Sequence, residues 1–315
     1  MVYVHYAPWG KANCTQNITN YLTNLFLRAI CVAIWSVLQM NTNRHPKTLG
    51  PRAAFLVAEL YEQQKVVFSH KDVEKTTGLA PKSARSLVQR LVNHGVATRL
   101  KPGMFILVPS ELGHERDYLG NPYIVAREIV GGPDYYISHA SAMDIHQMVT
   151  QPQLVVYTTT TRAIRPRSVL GTEFRFVRCK PGNMFGTMNH WVTKTRKVRV
   201  SDVERTIIDG LKQSEYCGGF SEVAKGFWMR KDDIDVKKLV QYAMALDIGA
   251  VYRRLGYLLE LFDVGSPGEI KALRQKLTPS YAILDPMLPH EGKFVARWRL
   301  RLNVTPEEIA AIVRT

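Results

Sequence analysis

The sequence predicts an α+β protein: a small helical unit with a β-hairpin, followed by a longer segment of mixed strands and helices. Three observations carry that reading. Residues 69–108 give two short amphipathic helices around a glycine turn, then two apolar runs joined by Lys101-Pro102-Gly103, a hairpin signal. Residues 124–302 alternate β-branched or aromatic runs with helical periodicities. Between Leu79 and Gly103 every charged residue is positive. At 315 residues and 46% hydrophobic the chain has room for two domains, and its net charge of +15 suits a polyanionic partner.

Residues 1–48 read as an N-terminal extension that the rest does not need. Positions 21–40 are largely apolar, but Arg28 interrupts them, and the run that follows reaches Gln39 after about ten residues, too short to span a bilayer. No basic head or small-x-small cleavage site marks a secretory signal, and Met40 is a plausible alternative start. No membrane is expected. The four cysteines, Cys14, Cys31, Cys179 and Cys217, have neither zinc nor disulfide-framework spacing, which points to a reducing cytoplasm.

Residues 50–62 should form the first helix, with Pro51 near its start and Phe55, Leu56, Ala58 and Leu60 as its packing face. Ser69 can cap the next helix, with Asp72 at its positive end, and Gly78 supplies the left-handed backbone that ends it. Pro81 opens the third, since its missing N–H would be unpaired there anyway. Helix, tight turn, helix and hairpin together make a winged helix-turn-helix over residues 49–110.

In the third helix Ala84, Leu87, Val88 and Leu91 share one apolar face. The five charged residues between Leu79 and Gly103 are Lys82, Arg85, Arg90, Arg99 and Lys101, all positive. A face that enters the major groove needs donors for base edges, cations for phosphates and no acid to repel the backbone. Lys82, Ser83, Arg85, Ser86 and Gln89 are the candidate base readers, and Arg90, Arg99 and Lys101 the candidate phosphate contacts.

Residues 111–122 read as a connector and residues 123–315 as a mixed α+β domain. Helices are expected at 124–130, 138–148, 201–211, 223–228, 236–246 and 250–262. Strands are expected at 154–160, 169–178, 197–200 and 294–302. Ser201 and Glu204 suit a capping box, and Arg205 and Asp209 an i, i+4 pair. Between Arg162 and Arg199 stand ten cations and one acid, Glu173. Arg162, Arg165, Arg167, Arg175, Arg178, Lys194, Arg196, Lys197 and Arg199 therefore form a candidate surface for an acidic partner or for DNA.

The sequence resembles the AbiEi family of transcriptional-regulator antitoxins, known from phage abortive infection. The resemblance runs from about position 50 to near the end. Its pieces are the winged helix, Tyr136-Ile137-Ser138-His139-Ala140-Ser141-Ala142, Phe185-Gly186, Val200-Ser201-Asp202-Val203-Glu204-Arg205-Thr206-Ile207-Ile208-Asp209, Arg253-Arg254-Leu255-Gly256-Tyr257-Leu258-Leu259-Glu260, Trp298 and Asn303. The departures are the apolar extension and Val203, where proline is expected. The resemblance implies autorepression at an inverted-repeat operator through the winged helix. It also implies that the second domain neutralises a nucleotidyltransferase toxin of the AbiEii type.

Catalytic readings are weaker. His139 and His146 lack a third ligand for a metal, and Asp202, Glu204 and Asp209 are accounted for by capping and pairing. No phosphate-binding loop or nucleophile elbow occurs. The sequence thus points to a non-enzymatic protein without cofactor or metal, against the alternative of a nuclease or nucleotide-handling enzyme guided by a winged helix.

Overall fold

The computed structural model describes residues 49–151 and 154–313, and the expectations for residues 1–48 lie outside them. The described residues form a mixed α+β structure with three β-sheets.

The first unit comprises α1 (Pro51–Glu62), β1 (Val67–Ser69), α2 (His70–Thr77), α3 (Pro81–Asn93), β2 (Ala97–Lys101) and β3 (Met104–Leu107). A reciprocal cap opens α2: the Ser69 backbone N–H donates to Asp72 Oδ2 at 2.7 Å, and the Ser69 hydroxyl accepts from the Asp72 backbone N–H. Gly78, at φ +67°, ends it. Only Leu79 and Ala80 then precede α3, so the two helices pack closely around the buried side chains Val73, Ala84, Leu87 and Val88. The strands run antiparallel in the order β1-β3-β2, with Val67 and Thr98 both opposite Ile106. Leu56 and Leu60 bury α1, whereas Phe55 and Ala58, expected on its packing face, are exposed. Positions 56 and 60 lie one turn apart and suffice for the contact, which leaves 55 and 58 on the outer side.

A six-stranded sheet follows, built from β4 (Tyr135–Ile137), β5 (Val155–Thr160), β6 (Arg167–Val169), β7 (Thr172–Arg178), β8 (Thr187–Trp191) and β9 (Lys197–Ser201), in the order β6-β7-β5-β4-β9-β8. The β5/β7 and β4/β9 pairs are parallel and the rest antiparallel. On one face α4 (Pro122–Val130) packs Ile124, Val125 and Ile129 against Val156, Phe174, Val198 and Val200. Val67, Leu100 and Ile106 of the first sheet join this same cluster, so the two units share a core.

The largest core lies beyond, among α6 (Val203–Lys212), α7 (Phe220–Arg230), α8 (Val236–Leu246), α9 (Gly249–Leu261), α10 (Pro267–Gln275) and α11 (Pro306–Val313), with α5 (His139–Ile145) linking it to the sheet. A small sheet of β10 (Ala282–Ile283), β12 (Leu300–Leu302) and β11 (Lys293–Val295) closes this end.

Several expected elements come out differently. The strand read at 294–302 is a hairpin, because the chain turns at Ala296–Arg299 to bury Trp298, whose indole N–H donates to Glu260 at 2.7 Å. The strand read at 169–178 is likewise a hairpin, turning at Leu170 and Gly171, both at positive φ as two-residue hairpin turns require. Asp202, rather than Ser201, caps α6 by accepting from the Arg205 backbone N–H at 2.8 Å, and Glu204 is drawn away to Lys238 at 2.8 Å. The short β8 and the helices α10 and α11 were not anticipated.

Candidate nucleic-acid interface

Burial of Ala84, Leu87, Val88 and Leu91 fixes the rotation of α3 and turns its other side to solvent. Lys82, Ser83, Arg85, Ser86, Gln89 and Arg90 are all exposed there. Lys82, Ser83, Ser86 and Arg90 border a shallow cleft with Leu79 and Arg52. Arg52 stands in the first turn of α1, a helix whose sequence pattern marks only its packing face. The Ser86 hydroxyl donates back to the Lys82 carbonyl at 3.0 Å, and the Gln89 amide to Asn93 at 2.9 Å, so the helix itself orients both side chains.

Arg85 and Arg99 project from α3 and β2 toward His70 on α2. Burial, and then Arg85 and Arg99 against the opposing pull of the Glu74 carboxylate, hold the His70 imidazole below its ordinary pKa. Its ring packs edge-on against Phe105 at 5.0 Å. His70, a second residue missed in the sequence, thus sits between helix and hairpin with Arg85, Arg99 and Glu74 around it.

Lys101 departs from its expected role. Its Nζ donates to the Ile129 carbonyl at 2.9 Å, in the last turn of α4, and the side chain is half-buried. Burial, with Arg167 and Arg162 close by, lowers its pKa. A cation held this way fastens the hairpin to α4 rather than offering itself to a phosphate.

The basic stretch from Arg162 to Arg199 is not one surface. Arg167, Arg175 and Arg178 lie on β6 and β7, at one edge of the six-stranded sheet, whereas Lys197 and Arg199 lie on β9, with Lys194 and Arg196 in the β8–β9 turn, toward the other edge. Three strand spacings separate β7 from β9, about 14 Å. Many of these cations also have internal work. Arg162 donates to the Val130 and Gly131 carbonyls at 2.5 and 3.1 Å, Arg175 pairs with Glu173 at 2.7 Å, Arg199 donates to the Pro133 carbonyl at 3.0 Å, and Lys197 lies 4.0 Å over the Trp191 ring. Arg165 is exposed.

No family model and no curated protein matches the chain. Among solved structures, the crystal structure of the RV2827C protein from Mycobacterium tuberculosis superposes with a TM-score of 0.65. The chain shares its fold with that mycobacterial protein. The likeness covers 86% of this chain and 97% of that one at 14% identity, so it speaks for the architecture alone.

Within that architecture the remaining sequence motifs come together as supports. Arg205 is buried with Asp209: its Nε donates to Asp209 at 3.0 Å, its Nη2 to the Tyr136 hydroxyl at 3.0 Å, and that hydroxyl donates to Asp209 at 3.0 Å. The Phe185 ring lies 4.3 Å from the same guanidinium, and a side chain at Gly186 would stand 2.9 Å from Arg205 Cβ. Gly256 makes room for the Trp298 indole, and Asn303 accepts from the Asp285 N–H at 3.0 Å. His139 is buried against Tyr216, with its Nδ1 at 2.9 Å from Ser138, while His146 is bonded through Nε2 to the Ser201 carbonyl at 2.6 Å. Among the described residues no cluster of three His, Cys, Asp or Glu is placed to hold a metal, and no helix is long and apolar enough to cross a membrane.

Proposed function

We propose that this protein is a sequence-specific DNA-binding transcriptional repressor whose first unit is a winged helix-turn-helix. The observation that carries the reading is the solvent face of α3. Lys82, Ser83, Arg85, Ser86, Gln89 and Arg90 stand together without a carboxylate, flanked by Arg52 on one side and Arg99 on the other. Such a face offers bidentate donors to bases and cations to the phosphates on both sides of a groove. An inverted-repeat operator is the natural target for two copies of such a unit. The resemblance to AbiEi antitoxins extends the proposal: the second segment neutralises a nucleotidyltransferase toxin, and the protein works in the cytoplasm.

The competing nuclease reading needs free carboxylates, yet Asp202 holds Lys238 and Tyr242, Glu204 holds Lys238, and Asp209 holds Arg205 and Tyr136. The test is selection of bound sequences from a random duplex library, followed by gel shift of the selected site and growth of cells expressing the adjacent toxin gene. Enrichment of one inverted repeat supports repression, and rescue of growth supports neutralisation. No enrichment over random DNA ends the repressor proposal.

A further inference from the structure

A cavity of about 540 Å³ lies where β5, α7 and α11 meet, within the size range of small-ligand sites. Two rings form one wall, Tyr157 and Tyr216, with centroids 5.4 Å apart, and Val155 lies beside them. Three charged side chains line the rest: Glu215, Glu222 and Lys225.

Lys225 is only 9% exposed, yet it has neither a hydrogen bond nor an ion pair among the described residues. Its stem is covered while its ammonium meets the cavity, so the charge is offered there rather than sealed in the core. Glu222 stands three residues earlier on α7, the spacing at which a Glu and a Lys ordinarily meet. The two form no ion pair, and both border the same cavity. An acid and a base side by side on one helix, both open to a cavity with an aromatic wall, match a ligand that carries both signs.

We propose that this cavity binds a small zwitterion with an apolar body, of the free amino-acid class. Its carboxylate takes Lys225, its ammonium takes Glu222, and its side chain lies against Tyr157 and Tyr216. The site is remote from α3 and its occupancy does not depend on DNA binding.

The experiment is isothermal titration of the full chain with L-leucine and L-phenylalanine as zwitterions. 4-Methylpentanoate and 3-phenylpropanoate serve as carboxylate-only probes, and 3-methylbutylamine and phenethylamine as amine-only probes. At least one zwitterion should bind, with each half-probe weaker by about tenfold or more, the worth of one charged hydrogen bond. Lys225→Met should weaken the zwitterion by about tenfold or more, and Glu222→Gln should reduce its advantage over the carboxylate-only probe. Absence of zwitterion binding, equal binding of zwitterion and carboxylate-only probe, or unchanged binding by Lys225→Met would each overturn the proposal. So would a lower ligand-free melting temperature in Lys225→Met, which would make Lys225 a structural support.

Discussion

Lys101 Nζ and the Ile129 carbonyl oxygen are 2.9 Å apart, and this bond ties the β2–β3 hairpin to the C-terminal end of α4. That end of a helix carries partial negative charge and unpaired carbonyls, and Arg162 serves the next two, Val130 and Gly131. Lys101→Met should therefore cost about 1–2 kcal/mol of stability and leave the salt dependence of DNA binding unchanged. Arg99→Ala should do the reverse, with little effect on stability and a salt slope lower by about one. Binding measured across a salt series decides it, and a lowered slope for Lys101→Met would return that residue to the DNA.

The two units should not separate freely. The connector is exposed from Glu111 to Glu115 and rich in polar residues, which in sequence reads as a hinge between independent domains. Yet Thr98 binds it from both sides, donating to the Arg116 carbonyl at 2.9 Å and accepting from the Tyr118 N–H at 3.2 Å. Val67, Leu100 and Ile106 meanwhile bury against the second sheet. A fragment of residues 49–115 would expose all three, at about 1.5–3 kcal/mol each, more than a unit of that size can lose. Its thermal melt should be broad and well below that of the full chain. A sharp melt at the full chain's temperature would restore the picture of two autonomous domains.

His70 supplies a pH dependence. Burial and the nearby Arg85 and Arg99, opposed by Glu74, lower its pKa in the folded protein below the ordinary 6.5. The unfolded chain then holds the proton more tightly, so the stability tied to this group is complete above pH 6.5 and is lost as pH falls through the folded value. DNA phosphates brought to His70 would favour the protonated ring, so binding should take up a proton. Operator affinity should rise as pH falls from about 7 to 6, and His70→Gln should flatten that rise. Equal pH profiles for the two proteins would remove His70 from the interface.

The Tyr136–Arg205–Asp209 network should respond sharply to loss of one partner. Asp209→Asn or Arg205→Met leaves a buried charge uncompensated and should cost about 3–5 kcal/mol, whereas Tyr136→Phe removes only a hydroxyl and should cost about 1–2 kcal/mol. Gly186→Ala should also destabilise, since φ is +66° and the new methyl would stand 2.8 Å from the Tyr242 ring. Urea melts give all four values. Equal costs for Tyr136→Phe and Asp209→Asn would mean that the pair is not acting as a buried charge pair.

What the sequence made legible follows from how local each signal is. The rotation of α3 is written in the spacing of Ala84, Leu87, Val88 and Leu91, and the ends of α2 in Ser69, Asp72 and Gly78, so these elements could be read directly. The bond between Lys101 and Ile129 joins positions 28 residues apart and has no local trace. Nor does strand order, which sets Arg175 and Arg178 on β7 three strands away from Lys197 and Arg199 on β9. The 294–302 segment alternates like one strand, and only the Gly256 gap that receives Trp298 breaks it into two. His70 and Arg52 were invisible as interface residues because their helices carry no pattern of their own that faces a ligand.

The last prediction divides the α3 surface by role. Arg85 and Gln89 rise from the exposed face, each directly after a buried residue, Ala84 and Val88, so their backbone positions are fixed by the core. Side chains anchored in this way can read base edges, and Arg85→Ala or Gln89→Ala should each cost about 1–3 kcal/mol on the selected site while relaxing preference at one position. Arg52, on α1, and Arg90, in the last turn of α3, stand at the ends of this surface and are assigned to phosphates. Arg52→Ala and Arg90→Ala should weaken selected and random duplexes alike and lower the salt slope by about one each. Competition gel shifts with the selected site and with single-base variants separate the two groups. If Arg85→Ala and Gln89→Ala weakened every duplex equally, α3 would be gripping the backbone, and the specificity proposed here would have to reside elsewhere in the chain.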